Sequence, residues 1–141
     1  MHSENVPEFE RVSEPTVTGI AFQRNVKLAA RTLIGLKRYE AALLLLGENL
    51  PRIEADQEHF GLLAAVLLGN GDYGGAADVY ASLIRLHPDN PQWWGGYALA
   101  LEQLGHVESV AFAYQTLHQI TAEDSTLGML ARQKLKRYDS A

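Results

Sequence analysis

Apolar residues return along this chain at three- and four-residue steps, in blocks broken at regular intervals. Phe60, Leu63, Ala64, Leu67 and Leu68 make one such stripe, the pattern of a helix with one buried face. Asn70-Gly71-Asp72 stops it, because glycine readily takes the left-handed conformation that closes a helix. Ala76, Ala77, Tyr80, Leu83 and Ile84 make a second stripe. His87-Pro88-Asp89-Asn90 ends it, since proline cannot continue a helix and restricts the residue before it. The cycle then repeats with Trp94, Tyr97, Ala98 and Leu101, a turn at Gly105, and Val110, Ala113, Tyr114 and Leu117. No stretch alternates as a strand does. Small residues such as Ala64, Ala76, Ala98 and Ala113 predict close approach within each helix pair.

The blocks are periodic. At an offset of 34 residues, Gly71 falls on Gly105 and Lys37, Tyr80 on Tyr114 and Leu46, Phe60 on Trp94 and Val26, and Leu67 on Leu101 and Leu33. Three windows follow without insertion, 23–56, 57–90 and 91–124, each reading as two helices. A period of this length signals a stacked repeat rather than one ordinary core. Residues 125–139 predict a final helix in which Leu127, Leu130, Leu135 and Tyr138 cover the last repeat. Asp124 or Ser125 would cap it. Residues 1–19, with Pro7, Pro15 and four glutamates, show neither period and read as a flexible leader or linker.

Composition narrows the functional classes. The chain is 47% hydrophobic, enough for packed layers, and has no cysteine; disulfides, cysteine metal sites and a cysteine nucleophile are excluded. The net charge of −5 argues against a nucleic-acid partner. The longest apolar runs, Ala41–Gly47 and Leu62–Gly69, fall far short of the ~20 residues a spanning helix needs, so no direct membrane insertion is expected. The acids and prolines that precede any apolar stretch are unlike a signal peptide. Charge is uneven: residues 20–56 carry six bases and four acids, 57–124 one base and eight acids, and 125–141 four bases and one acid. Basic ends therefore flank an acidic middle. No histidine pair has metal-helix spacing, Gly69, Gly71, Gly74 and Gly75 have no preceding strand or following Lys-Ser, and no serine sits in a nucleophile elbow. The expectation is a non-enzymatic chain with no cofactor and no metal.

The windows resemble the tetratricopeptide repeat. The second supplies Phe60, Leu63, Ala64, Leu67, Ala76, Tyr80, Leu83 and Pro88, and the third Trp94, Tyr97, Ala98, Leu101, Val110, Tyr114, Leu117 and Ala122. The first is degenerate, with Val26, Ala29, Ala30, Leu33, Ala42 and Leu46. The resemblance implies an all-α right-handed superhelix of three helix pairs plus a capping helix, spanning 20–141. A narrower likeness lies in Glu58–Ala65, Tyr80–Ile84, Pro88–Trp94, Ala98–Gly105 and Leu130–Leu135. These runs are similar to the C-terminal domain of MshN-type proteins of mannose-sensitive haemagglutinin (MSHA) type IV pilus biogenesis. The implied function is a scaffold in assembly of a bacterial envelope machine. The implied place is the periplasmic or cytoplasmic face of a bacterial inner membrane, tethered by an N-terminal helix that this chain lacks, and otherwise the cytoplasm. A chaperone of the type III secretion kind and a homo-oligomeric module stacking through its first repeat are the alternatives.

In this family the first helix of each pair lines a concave groove. The resemblance places Arg24, Lys27, Arg31, Ile34 and Gly35 there from the first repeat. The second contributes Glu58, Gly61, Ala65, Leu68 and Gly69, and the third Gln92, Gly95, Leu99, Glu102 and Gln103. The implied occupant is a protein or peptide segment. The carboxylate clamp of chaperone-tail-binding members is missing, because Gly61, Leu62, Gln92 and Gly96 stand at its positions. A helix-interior glycine costs about 0.5–1 kcal/mol relative to alanine, so Gly61, Gly95 and Gly96 imply close approach, either of neighbouring helices or of a partner backbone. Trp94 takes the core aromatic position. Trp93 lies ~100° round the helix from it, either packed on the preceding helix near Leu83 and His87 or exposed as an interface anchor.

Overall fold

The structure, a computed structural model, describes residues 17–139. The described residues form seven helices and no strand: α1 Val17–Gly35, α2 Tyr39–Glu48, α3 Gln57–Gly69, α4 Tyr73–Leu86, α5 Pro91–Leu104, α6 Val107–Ile120 and α7 Thr126–Asp139. The leader expected over 1–19 lies almost wholly outside the described residues, and α1 begins at Val17.

Short polar turns set the helix boundaries. Asp56 Oδ1 accepts from the His59 amide at 3.1 Å, Asp72 Oδ1 from Gly75 at 3.0 Å, Asn90 Oδ1 from Gln92 at 2.9 Å, and Ser125 Oγ from Gly128 at 2.9 Å. Each satisfies an amide that the first turn of a helix leaves unpaired. The turn inside each pair needs a left-handed residue. Gly71 and Gly105 supply it with φ of 86° and 78°, whereas the first repeat places Lys37 there with φ of 59°. A side chain in that conformation costs roughly 1–2 kcal/mol, a backbone mark of the degenerate repeat.

Packing follows the period. Val26, Ala30, Ala42 and Leu46 form a buried cluster completed by Val66 of α3. Ala64, Ala76, Ala77, Tyr80 and Leu83 form the next, completed by Ala100 of α5. Ala98, Leu101, Val110, Ala113, Tyr114 and Leu117 form the third, completed by Ala131 of α7. Each pair thus borrows a residue from the helix after it, so its core is finished only by its neighbour. Serine at 125 does the capping, and Leu127, Leu130, Leu135 and Tyr138 of α7 pack on the third cluster.

The stack is tighter on one side. Each helix packs against the next, and α1, α3, α5 and α7 also touch one another in sequence, while α2, α4 and α6 do not. The first-helix side is therefore concave and the second-helix side splayed.

Candidate partner-binding face

At the α1 end of the concave side lies a charge cluster. Lys27 Nζ stands 3.1 Å from Asp56 Oδ1 and 3.0 Å from Glu58 Oε1, and Arg31 pairs with Glu58. Asp56 also caps α3, so one carboxylate ties α1 to the start of the next repeat. Of the bases that the repeat pattern places in the groove, Lys27 and Arg31 are thereby paired with acids, while Arg24 is exposed and has no partner among the described residues.

The middle of the face is shallow and apolar. Ala65, Leu68 and Leu99 are half-buried. Trp93 packs with the second cluster, which contains Leu83, and its ring lies over Gly61; a Cβ on Gly61 would stand 2.6 Å from it. The spaces beside the other two glycines are also filled from within the chain. Tyr80 occupies that beside Gly96, and Leu127 of α7 approaches Gly95, where a Cβ would stand 3.2 Å away. Trp94 packs on the third cluster, donates its indole N–H to the Pro88 carbonyl at 2.6 Å, and meets Tyr97 edge-on.

At the α7 end Glu102 is the hub. It accepts from Lys134 Nζ at 2.9 Å, Tyr138 Oη at 3.1 Å and Tyr114 Oη at 3.3 Å, and Arg137 approaches to 3.5 Å. Burial pushes its carboxyl upward, but the Lys134 hydrogen bond, the Tyr138 hydroxyl, the Lys134 charge and the Tyr114 hydroxyl together hold it below its ordinary value. Burial and the adjacent carboxylate push the Tyr114 hydroxyl up, and burial alone raises Tyr80 to about 12. Tyr114 donates its hydroxyl proton to Glu102. Gln92 and Gln103 are exposed and Gly95 is buried.

The structure therefore brings Arg24, Lys27, Arg31, Gly61, Ala65, Leu68, Gln92, Trp93, Gly95, Leu99, Glu102 and Gln103 to helices α1, α3 and α5, but with different freedom to meet a partner. Lys27, Arg31 and Glu102 are held in ion pairs, and Gly95 is covered. Arg24, Gln92 and Gln103 remain exposed, with Ala65, Leu68, Trp93 and Leu99 as a half-buried floor.

Two features escaped the sequence. His59 is fully buried, its Nε2 2.9 Å from the Leu46 carbonyl; the carbonyl only accepts, so Nε2 carries the proton. Phe112 is exposed on the splayed side, where its repeat equivalents are Leu44 and Asp78. A phenylalanine at an outward-facing repeat position was the available signal. Among the described residues no group of acids and histidines is arranged to hold a metal ion, and no helix is long and apolar enough to cross a membrane.

The sequence model of the tetratricopeptide repeat family matches residues 67–133. The crystal structure of the Sgt2 TPR domain from Aspergillus fumigatus is similar in fold, with a TM-score of 0.74 and 18% identity over 89% of this chain and 82% of that one. No curated protein matches. The all-α fold described here is accordingly that of a tetratricopeptide repeat domain, with the family's sequence pattern carried by residues 67–133.

Proposed function

We propose that this chain is a protein–protein interaction scaffold that receives a partner segment on its concave face, in the assembly of a bacterial envelope machine of the MSHA-like type IV pilus kind. The observation that carries the reading is the layout of that face. A half-buried apolar floor of Ala65, Leu68, Trp93 and Leu99 lies between the Lys27–Asp56–Glu58–Arg31 cluster and the Glu102–Lys134 pair. Apolar floor with charged ends suits an amphipathic segment, whose apolar side chains the floor buries and whose charges the ends orient. Apart from Arg24, the charged groups on this face are paired with one another across helices, an arrangement for recognition rather than turnover. The pilus assignment is supported by the MshN-like runs, above all Pro91-Gln92-Trp93-Trp94 and Ala98–Gly105.

The test is a photo-crosslinking amino acid at position 99 or 24 in the native host. The expected product joins the chain to a pilus-assembly protein, and Leu99→Glu combined with Arg24→Glu abolishes it while helicity is kept. Crosslinks to a secreted substrate would support the secretion-chaperone alternative instead. Capture unaffected by the double substitution would remove the concave face from the account.

A further inference from the structure

The splay between α4 and α6 opens a furrow on the convex side, floored by Trp94 and Tyr97 of α5, with a volume of about 450 Å³. Ala81, Ile84 and Arg85 of α4 form one bank. Phe112 and Glu108 of α6 stand on the other. Phe112 touches Trp94 edge-on, with ring centroids 6.1 Å apart, yet remains 62% exposed. A ring so placed leaves apolar area in water beside an apolar cleft, and burying both is favourable. Charges of opposite sign occupy opposite banks. Arg85 donates to Ser82 Oγ at 3.0 Å on its own helix, and Glu108 has no partner among the described residues. The two line one furrow without neutralising each other.

We propose that this furrow is a homodimer interface. A second copy docks about a two-fold axis that runs along the furrow, in the plane of the interface. Such an axis exchanges the banks, so the α4 bank of one copy meets the α6 bank of the other. Phe112 then enters against Ala81 and Ile84 of the partner subunit, and Arg85 faces Glu108 of the partner subunit. The furrow is complementary to itself in both respects: knob to cleft and base to acid. A foreign partner has to bring a matching aromatic, acid and base, whereas a second copy already carries all three. The interface lies opposite the concave face, so it stands or falls independently of the function proposed for that face.

Sedimentation velocity of the full chain over a rising concentration range tests the proposal. It should show a monomer–dimer equilibrium. Phe112→Glu should raise the dissociation constant about tenfold or more. Arg85→Glu and Glu108→Arg each place like charges together at both symmetry-related contacts and should raise it severalfold. An equimolar mixture of those two single variants makes both contacts attractive again and should recover dimer of wild-type affinity. All three side chains lie at the surface, and each variant's melting temperature should match the parent's, separating lost association from lost folding. A chain that stays monomeric at millimolar concentration overturns the proposal. So does a dimer indifferent to Phe112→Glu, single variants whose mixture shows no recovery, or a furrow whose substitutions abolish binding of a different protein while the chain itself remains monomeric.

Discussion

The two ends of the stack are built from the same repeat and finished differently. At the C-terminal end α7 lies across the third pair, buries Ala131 completely and ties Lys134 and Tyr138 to Glu102. At the N-terminal end α1 turns Phe22 and Leu28 outward, at 52% and 53% exposure, and Leu36 just after it is 63% exposed. Every internal pair has its core completed by the following helix, and α7 extends that arrangement past the last repeat. A stacked repeat draws its stability from interfaces between neighbours, so the difference teaches where this molecule should be strongest and where it should open first.

Substitution in the covered end should have the largest effect. Leu117→Ala removes a fully buried side chain from the third cluster and should cost about 3 kcal/mol in urea unfolding. Glu102→Gln should cost about 1 kcal/mol at neutral pH, because it takes the charge out of a hub with four hydrogen-bond donors. The folded-state carboxyl is held below its ordinary value of 4.5, so its contribution is complete above that value and is lost as pH falls through the lower folded-state value. The stability gap between parent and Glu102→Gln should therefore close in acid, measured by melting across a pH series. A gap that stays constant would show that the charge is not what matters.

At the open end the expected changes are smaller and include a gain. Lys37→Gly relieves a left-handed side chain and should stabilise the protein by about 0.5–1 kcal/mol. The same exchange at an ordinary surface lysine in a helix should destabilise. Leu28→Gln and Phe22→Ser should alter stability by less than about 0.5 kcal/mol, as judged by chemical unfolding. A larger loss would mean that the outer face of α1 is covered in solution.

The repeat was legible because its signals are local. The stripes through Phe60, Tyr80, Trp94 and Tyr114 and the turns at Gly71 and Gly105 each act within one or two helical turns, and their spacing sets the register of the whole stack. The capping helix was legible for the same reason, down to Ser125 as one of two candidate caps. The state of the concave face was not. Lys27 and Glu58, and Glu102 and Lys134, lie 31 and 32 residues apart. Their pairing depends on how neighbouring repeats are rotated, which no local pattern records. Lys27 and Arg31 could be placed at a basic end of the groove from repeat position and charge distribution; only the stack shows Asp56 and Glu58 beside them. The convex furrow is less visible still, since it arises from the gap between α4 and α6 rather than from any one segment. Buried His59 gave no warning either, because its partner is a backbone carbonyl.

Amide hydrogen exchange under native conditions compares the two ends most directly. The account predicts that α1 and α2 open at the lowest free energy, while α5, α6 and α7 exchange together near the free energy of global unfolding. Slowest exchange in α1, or exchange of α7 ahead of α1, would contradict it.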